Sequence, residues 1–199
     1  PSDRQKSNWS PKFSLGWKPG NWDLRMSVAK AYRYANPSEL FGNSSSIQGN
    51  FALANANLKP EDGNHYNLYG QYNFNNGFVR AELYHEDVRN AIYQQSIFLG
   101  CVNANGVAST ACPLSSLISN IGQVSIDGAD FTADFKRVYG TPVDVSLNTN
   151  YVNDIIVKND SNPSVIGNQM PLMPHWRNNL LVTYHHGNDV DLTVGTRYN

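Results

Sequence analysis

No apolar run of about 18 residues occurs in this chain, and that is the length a transmembrane helix needs. Mean hydropathy is -0.47, so no helical span is expected. Charge of one sign is also lacking: 15 Lys and Arg against 16 Asp and Glu leave a formal net charge of -1, and no basic patch offers itself to nucleic acid. No nucleophile, base and orienter share a recognised motif, and there is no phosphate-binding glycine loop or metal-spaced histidine cluster. The reading is therefore of a protein that is not an enzyme and carries no cofactor or metal. Cysteine is almost absent. Only Cys101 and Cys112 occur, both in one presumptive loop, where their closeness favours a disulfide formed in an oxidising compartment. No histidine lies between them to favour zinc.

What the chain does have is alternation. In Trp22–Tyr32 one face reads Trp22, Leu24, Met26, Val28 and Tyr32, and the other Asp23, Arg25 and Ser27. Val143–Val157 repeats the pattern at length, and Phe131, Ala133 and Phe135 stand opposite Thr132 and Asp134. Period two over such stretches specifies strands with one apolar and one polar face. Eight of these stretches are expected. Several exceed both the five or six residues usual in soluble sheets and the nine to eleven, approximately, that a tilted strand needs in a bilayer.

The connections alternate too. Lys18–Asn21, Asn75–Gly77, Gly140–Pro142 and Gly187–Asn188 read as tight turns, whereas Arg33–Pro60, Leu99–Asn120 and Lys158–Met173 read as long loops. Antiparallel strands so joined gather every short turn at one end, as in an outer-membrane barrel with short periplasmic turns and long extracellular loops. Aromatic residues recur at the short-turn end: Trp17, Trp22, Phe74, Phe78, Tyr139 and Tyr184. A ring at headgroup level suits that position. The competing readings are a passive porin or small outer-membrane barrel, and a soluble β-sandwich that binds carbohydrate through surface aromatics. In the sandwich the apolar faces would pack on each other.

The segment Tyr32-Arg33-Tyr34-Ala35-Asn36-Pro37-Ser38-Glu39-Leu40-Phe41, followed by Asn55-Ala56-Asn57-Leu58-Lys59-Pro60-Glu61, resembles the barrel of TonB-dependent outer-membrane receptors. Asn90-Ala91-Ile92, Asn120-Ile121-Gly122, Gly128-Ala129-Asp130 and Pro174-His175-Trp176-Arg177-Asn178 follow in the family's order. Ala56 departs from it, since the family usually has proline there. The resemblance implies an all-β antiparallel transmembrane barrel, of which residues 1–199 would supply about eight of 22 strands. It also implies uptake of a scarce nutrient across the bacterial outer membrane: a ferric siderophore, haem, cobalamin, another metal chelate or a glycan. The partners implied are outer-membrane lipid, the protein's own plug domain, the TonB complex acting through that plug, and the ligand. The alternation stops in mid-pattern at Arg197-Tyr198-Asn199, so a piece of a longer chain is expected, with plug and terminal strands outside it.

Five residues are candidates for contact with ligand or plug. Arg33 and Glu61 would enter the lumen, where charge-assisted hydrogen bonds are available, and Glu39 lies within the same motif. Tyr34 and Phe41 are loop aromatics placed to meet a ligand from outside. His185 and His186, next to the last short turn, should point to opposite faces and so form a poor chelate.

Overall fold

The computed structural model describes residues 7–42, 44–45, 51–98, 114–160, 162–170, 173–187 and 189–199. Among these residues ten strands form one sheet: β1 (Lys12–Trp17), β2 (Trp22–Arg33), β3 (Ser44–Ser45), β4 (Phe51–Leu53), β5 (Glu61–Phe74), β6 (Gly77–Phe98), β7 (Leu114–Phe135), β8 (Val143–Lys158), β9 (Trp176–His186) and β10 (Val190–Tyr198). Eight of them run in the order β1-β2-β5-β6-β7-β8-β9-β10, each antiparallel to the next in the chain's own succession. β1 and β10 are the free ends of this path, so the sheet is an open wall. A short helix, α1 (Pro37–Phe41), lies in the connection from β2 to β5.

Tight turns close the short end. Gly20 and Gly187 take positive φ values of 59° and 66°, which glycine adopts without a Cβ penalty, and the Trp22 amide bonds the Pro19 carbonyl at 3.1 Å. The connection after β7 is longer than the expected Gly140–Pro142 turn. β7 ends at Phe135, and a 3-10 turn over Val138–Gly140 precedes β8, with left-handed backbone at Arg137 and Tyr139. The opposite correction applies to the expected loop Leu99–Asn120. β7 already begins at Leu114, so β6 and β7 form a hairpin of two 22-residue strands.

Register assigns the two faces. Leu24, Gly70, Ala81, Phe131 and Thr149 form one lateral row on the apolar face, and Asp144, Thr183 and Thr193 form one on the polar face. Among the described residues no second layer covers the apolar side. Leu68 is 59 % exposed, Leu83 57 % and Leu192 63 %, whereas a soluble sandwich would have buried them. On β8 the apolar row runs from Val143 to Tyr151, about 26 Å along the strand and about 20 Å at a barrel tilt of about 40°, close to the apolar height of such walls.

Aromatics bound this band at both ends. Trp17 and Trp22 stand at the short-turn end, 65 % and 47 % exposed. Phe78 is a correction to the expected girdle: it pairs with Asn73 and turns to the polar face beneath Arg80, because it sits one residue out of phase with Val79. At the long-loop end Tyr66, Tyr151 and Trp176 form a second girdle absent from the sequence reading, with the Tyr151 and Trp176 rings 4.8 Å apart.

The core sits at the long-loop end of the polar face. Ala91, Ile121, Val124 and Ile156 are buried together, joined by Val88, Ile126, Val165 and Met170. Val88 and Ala91 are three apart, as are Val124 and Ile121, so uninterrupted strands would send each pair to opposite faces. The left-handed backbone of Asn90, φ 53°, lies between the first pair and lets both residues of it join the cluster.

Candidate functional site

The β2–β5 connection is anchored to the wall by one guanidinium. Arg33 closes β2 directly opposite Glu61, the first residue of β5. Its Nε donates to Glu61 Oε2 at 2.7 Å and its Nη2 to Glu61 Oε1 at 2.9 Å, a two-pronged pairing that fixes orientation as well as distance. Nη1 reaches Glu39 Oε1 at 3.1 Å. The Glu61 hydrogen bond, with Glu39 adding to it, raises the Arg33 pKa further above its ordinary value, so the cation is permanent. Glu61 Oε1 also accepts the Ile92 amide at 2.7 Å, which ties the same node to β6.

Glu39 serves a second purpose. Asn36 is the N-cap of α1: its side chain accepts the Glu39 amide at 2.9 Å, while Glu39 Oε2 accepts the Asn36 amide at 2.8 Å. This reciprocal box, with Pro37 in the first turn, lets a helix of only five residues hold its place. The Asn55 amide donates to the Glu39 carbonyl at 2.9 Å, bringing the loop's return limb to the helix. Further along, Asn120 of β7 exchanges hydrogen bonds with the backbone of Lys59, at 2.8 and 3.0 Å, and donates to the Asn90 carbonyl at 2.7 Å. Leu58 is buried beside this latch, and β4 pairs in parallel with β7 through Ala52 and Ser116.

Arg33, Glu39 and Glu61 are thus brought together, each bonded to another of the three. Tyr34 and Phe41 flank them on the loop, 45 % and 70 % exposed, and the Tyr34 hydroxyl accepts from the Asn8 side chain at 3.0 Å. Cys101 and Cys112 lie outside the described residues. The sequence contained the signal for the cap, Asn-Pro-Ser-Glu before an apolar pair, but the latch through Asn120 spans 61 positions and leaves no local trace.

Lower on the polar face, Arg80 lies over the rings of Tyr69 and Phe78, at 5.6 and 5.0 Å, with Arg25 on Tyr69 at 5.3 Å. Gln71 joins them, accepting from Tyr69 at 2.7 Å and from Arg80 at 3.0 Å. Near the short turns His185 bridges Asp191 and Asp144 at 2.6 and 3.1 Å. It faces the polar side and joins β8, β9 and β10 through these two carboxylates. His186, its neighbour, is exposed next to Tyr184 on the other face. Among the described residues no three His, Cys, Asp or Glu side chains converge as a metal site.

An open antiparallel wall, apolar outside between two aromatic girdles and polar inside beneath anchored loops, is the architecture of an outer-membrane barrel segment. The family model described as TonB dependent receptor-like, beta-barrel matches residues 1–199, and the chain belongs to that family. No curated protein matches it. Solved structures do: the siderophore receptor PirA from Acinetobacter baumannii, at 20 % identity and a TM-score of 0.63, covers 94 % of this chain. A ferric enterobactin receptor mutant, PfeA from Pseudomonas aeruginosa, covers 96 % at 16 % identity and a TM-score of 0.66, and the copper transporter OprC covers 88 % at 18 % and 0.63. This chain spans 28 %, 27 % and 23 % of those three structures respectively, and the likeness concerns the fold.

Proposed function

We propose that this chain is wall and loop from a receptor that resides in the bacterial outer membrane and imports a scarce metal chelate, a ferric siderophore foremost. Binding would occur from outside, and a plug domain coupled to TonB would open the path. Family membership supports import, and the neighbours named for siderophore, ferric enterobactin and copper favour a metal-bearing cargo. The observation that carries the reading is the pairing of an uncovered apolar face with a loop fastened over the polar face by Arg33, Glu61 and Glu39.

Within this reading the three charged residues hold the loop in position, and Tyr34 and Phe41 are the side chains that meet cargo. Exposed aromatics on an anchored loop offer apolar contact area at little cost in conformational entropy. Cys101 and Cys112 would close a disulfide in the neighbouring loop. The chain performs no covalent chemistry of its own.

The test uses the complete receptor in cells grown without iron, supplied with radiolabelled ferric enterobactin, a mixed hydroxamate chelate or cobalamin as separate probes. Uptake of one iron chelate that disappears when TonB is deleted is expected. Uptake that persists without TonB would point to a passive channel and overturn the proposal.

A further inference from the structure

On the polar face, at the short-turn end, His185 of β9 is held from both sides. It stands directly opposite Asp191 of β10, with Nδ1 at 2.6 Å from Asp191 Oδ1. Nε2 lies 3.1 Å from Asp144 Oδ2, diagonally across the β8–β9 ladder. Both acceptors are carboxylate oxygens, which can only receive. A neutral imidazole has one N–H to give and an imidazolium has two, so the complete junction requires the protonated ring.

The two carboxylates do not depend on the ring equally. Asp144 also accepts the Arg137 amide at 2.8 Å and pairs with Lys136 at 3.4 Å, and Lys136 reaches Asp134 at 3.7 Å. Asp191 has His185 as its one polar side-chain partner among the described residues. A ring with a single proton therefore keeps it on Nδ1, at the shorter contact, and lets Asp144 go. Thr183 and Thr193, in the neighbouring row, bond each other at 2.9 Å, Asp189 is exposed in the β9–β10 turn, and His186 points to the opposite face.

Release on that side matters because Asp144 pins the 136–142 turn. Arg137 and Tyr139 hold left-handed backbone there, which costs a residue with a Cβ, and Tyr139 is 99 % exposed. Little burial offsets that cost, so the turn relies on its polar ties. One of them is the His185 amide, which bonds the Pro142 carbonyl at 2.8 Å. His185 lies one residue past the Val143–Tyr184 pair where the apolar row begins, within reach of water. Asp191 first, and Asp144 with it, raise its pKa above the ordinary histidine value. The ties are therefore complete at low pH and fade as pH rises through that raised value.

We infer that His185 is a pH-dependent clip, which fastens β8 and the 136–142 turn to β9 and β10 when protonated and frees Asp144 when it loses its proton. The clip belongs to the wall itself and operates whatever the cargo.

The complete receptor in lipid vesicles is to be followed by deuterium exchange between about pH 5 and about pH 9, each amide rate being divided by its intrinsic rate at the same pH. Protection of the residue 185 amide should fall by about fivefold in one step as pH rises, and protection of the Trp22 amide should stay constant. His185→Gln, which has no proton to lose in this range, should show no step. Asp191→Asn keeps the ring and should keep the step, with its midpoint moved to lower pH because one charge favouring the imidazolium is gone. A wild type without a step, a step that survives in His185→Gln, or an unmoved midpoint in Asp191→Asn would overturn the inference.

Discussion

Tyr84 packs directly against Gly128. The two residues pair across the β6–β7 ladder on the polar face, and a Cβ built on Gly128 would collide with the phenol of Tyr84. Glycine here leaves the room that the aromatic ring occupies. Gly128→Val should therefore displace Tyr84 and destabilise the barrel by about 1–3 kcal/mol, measured by urea unfolding from vesicles. Combining it with Tyr84→Ala should recover much of that loss. Additive effects of the two changes would show that the ring does not depend on the glycine.

Arg33→Gln leaves Glu39 and Glu61 facing each other without their shared cation. Both prongs to Glu61 and the tie to α1 disappear together. Since the Arg33 side chain is 46 % exposed, solvent screens much of the repulsion and the whole barrel should lose little stability. The loop should suffer: chymotrypsin cleavage after Phe41 is expected to accelerate by about tenfold. Arg33→Lys keeps the charge without the fork and should fall between the two. Equal cleavage rates in all three proteins would dissociate the node from loop order.

Asn120→Ala removes one acceptor and two donors at once, those shared with Lys59 and Asn90. The Lys59 amide should then exchange with deuterium about 10–100-fold faster, corresponding to about 1–3 kcal/mol of local opening. Amides at the short turns, such as Trp22, should exchange as before.

Leu147 and Asn148 are neighbours on opposite faces of β8. An arginine at Leu147, near the middle of the apolar band, should cost about 2–4 kcal/mol in a bilayer. At Asn148 it would project into water and cost little. Comparable losses at the two positions would contradict the assignment of faces.

The sequence made legible whatever depends on period two. β2 and the lower half of β8 appear with the faces that were read from them, because each alternates without a break. β7 begins at Leu114, inside the stretch expected as loop up to Asn120, since Ser115, Ser116, Ser119 and Asn120 carry no alternation and gain their strand conformation from the β6 ladder. Phe78 was assigned to the wrong face because proximity to a turn was weighed above phase. The node was legible only in membership. Arg33, Glu39 and Glu61 could be picked out as charged residues of one motif, but nothing local told that they would satisfy one another.

Asn90 gives the β6–β7 hairpin a change of grammar. Below it the strands obey a rule of alternation in which each odd or even position is answerable to lipid or to water. At its level Ala91 and Ile121, just above, join Val88 and Val124, just below, in one buried cluster. Substitutions at Ala91 and Ile121 are consequently judged by how they pack, as in any buried cluster. A single left-handed residue thereby marks where a wall of alternating faces gives way to a packed cluster.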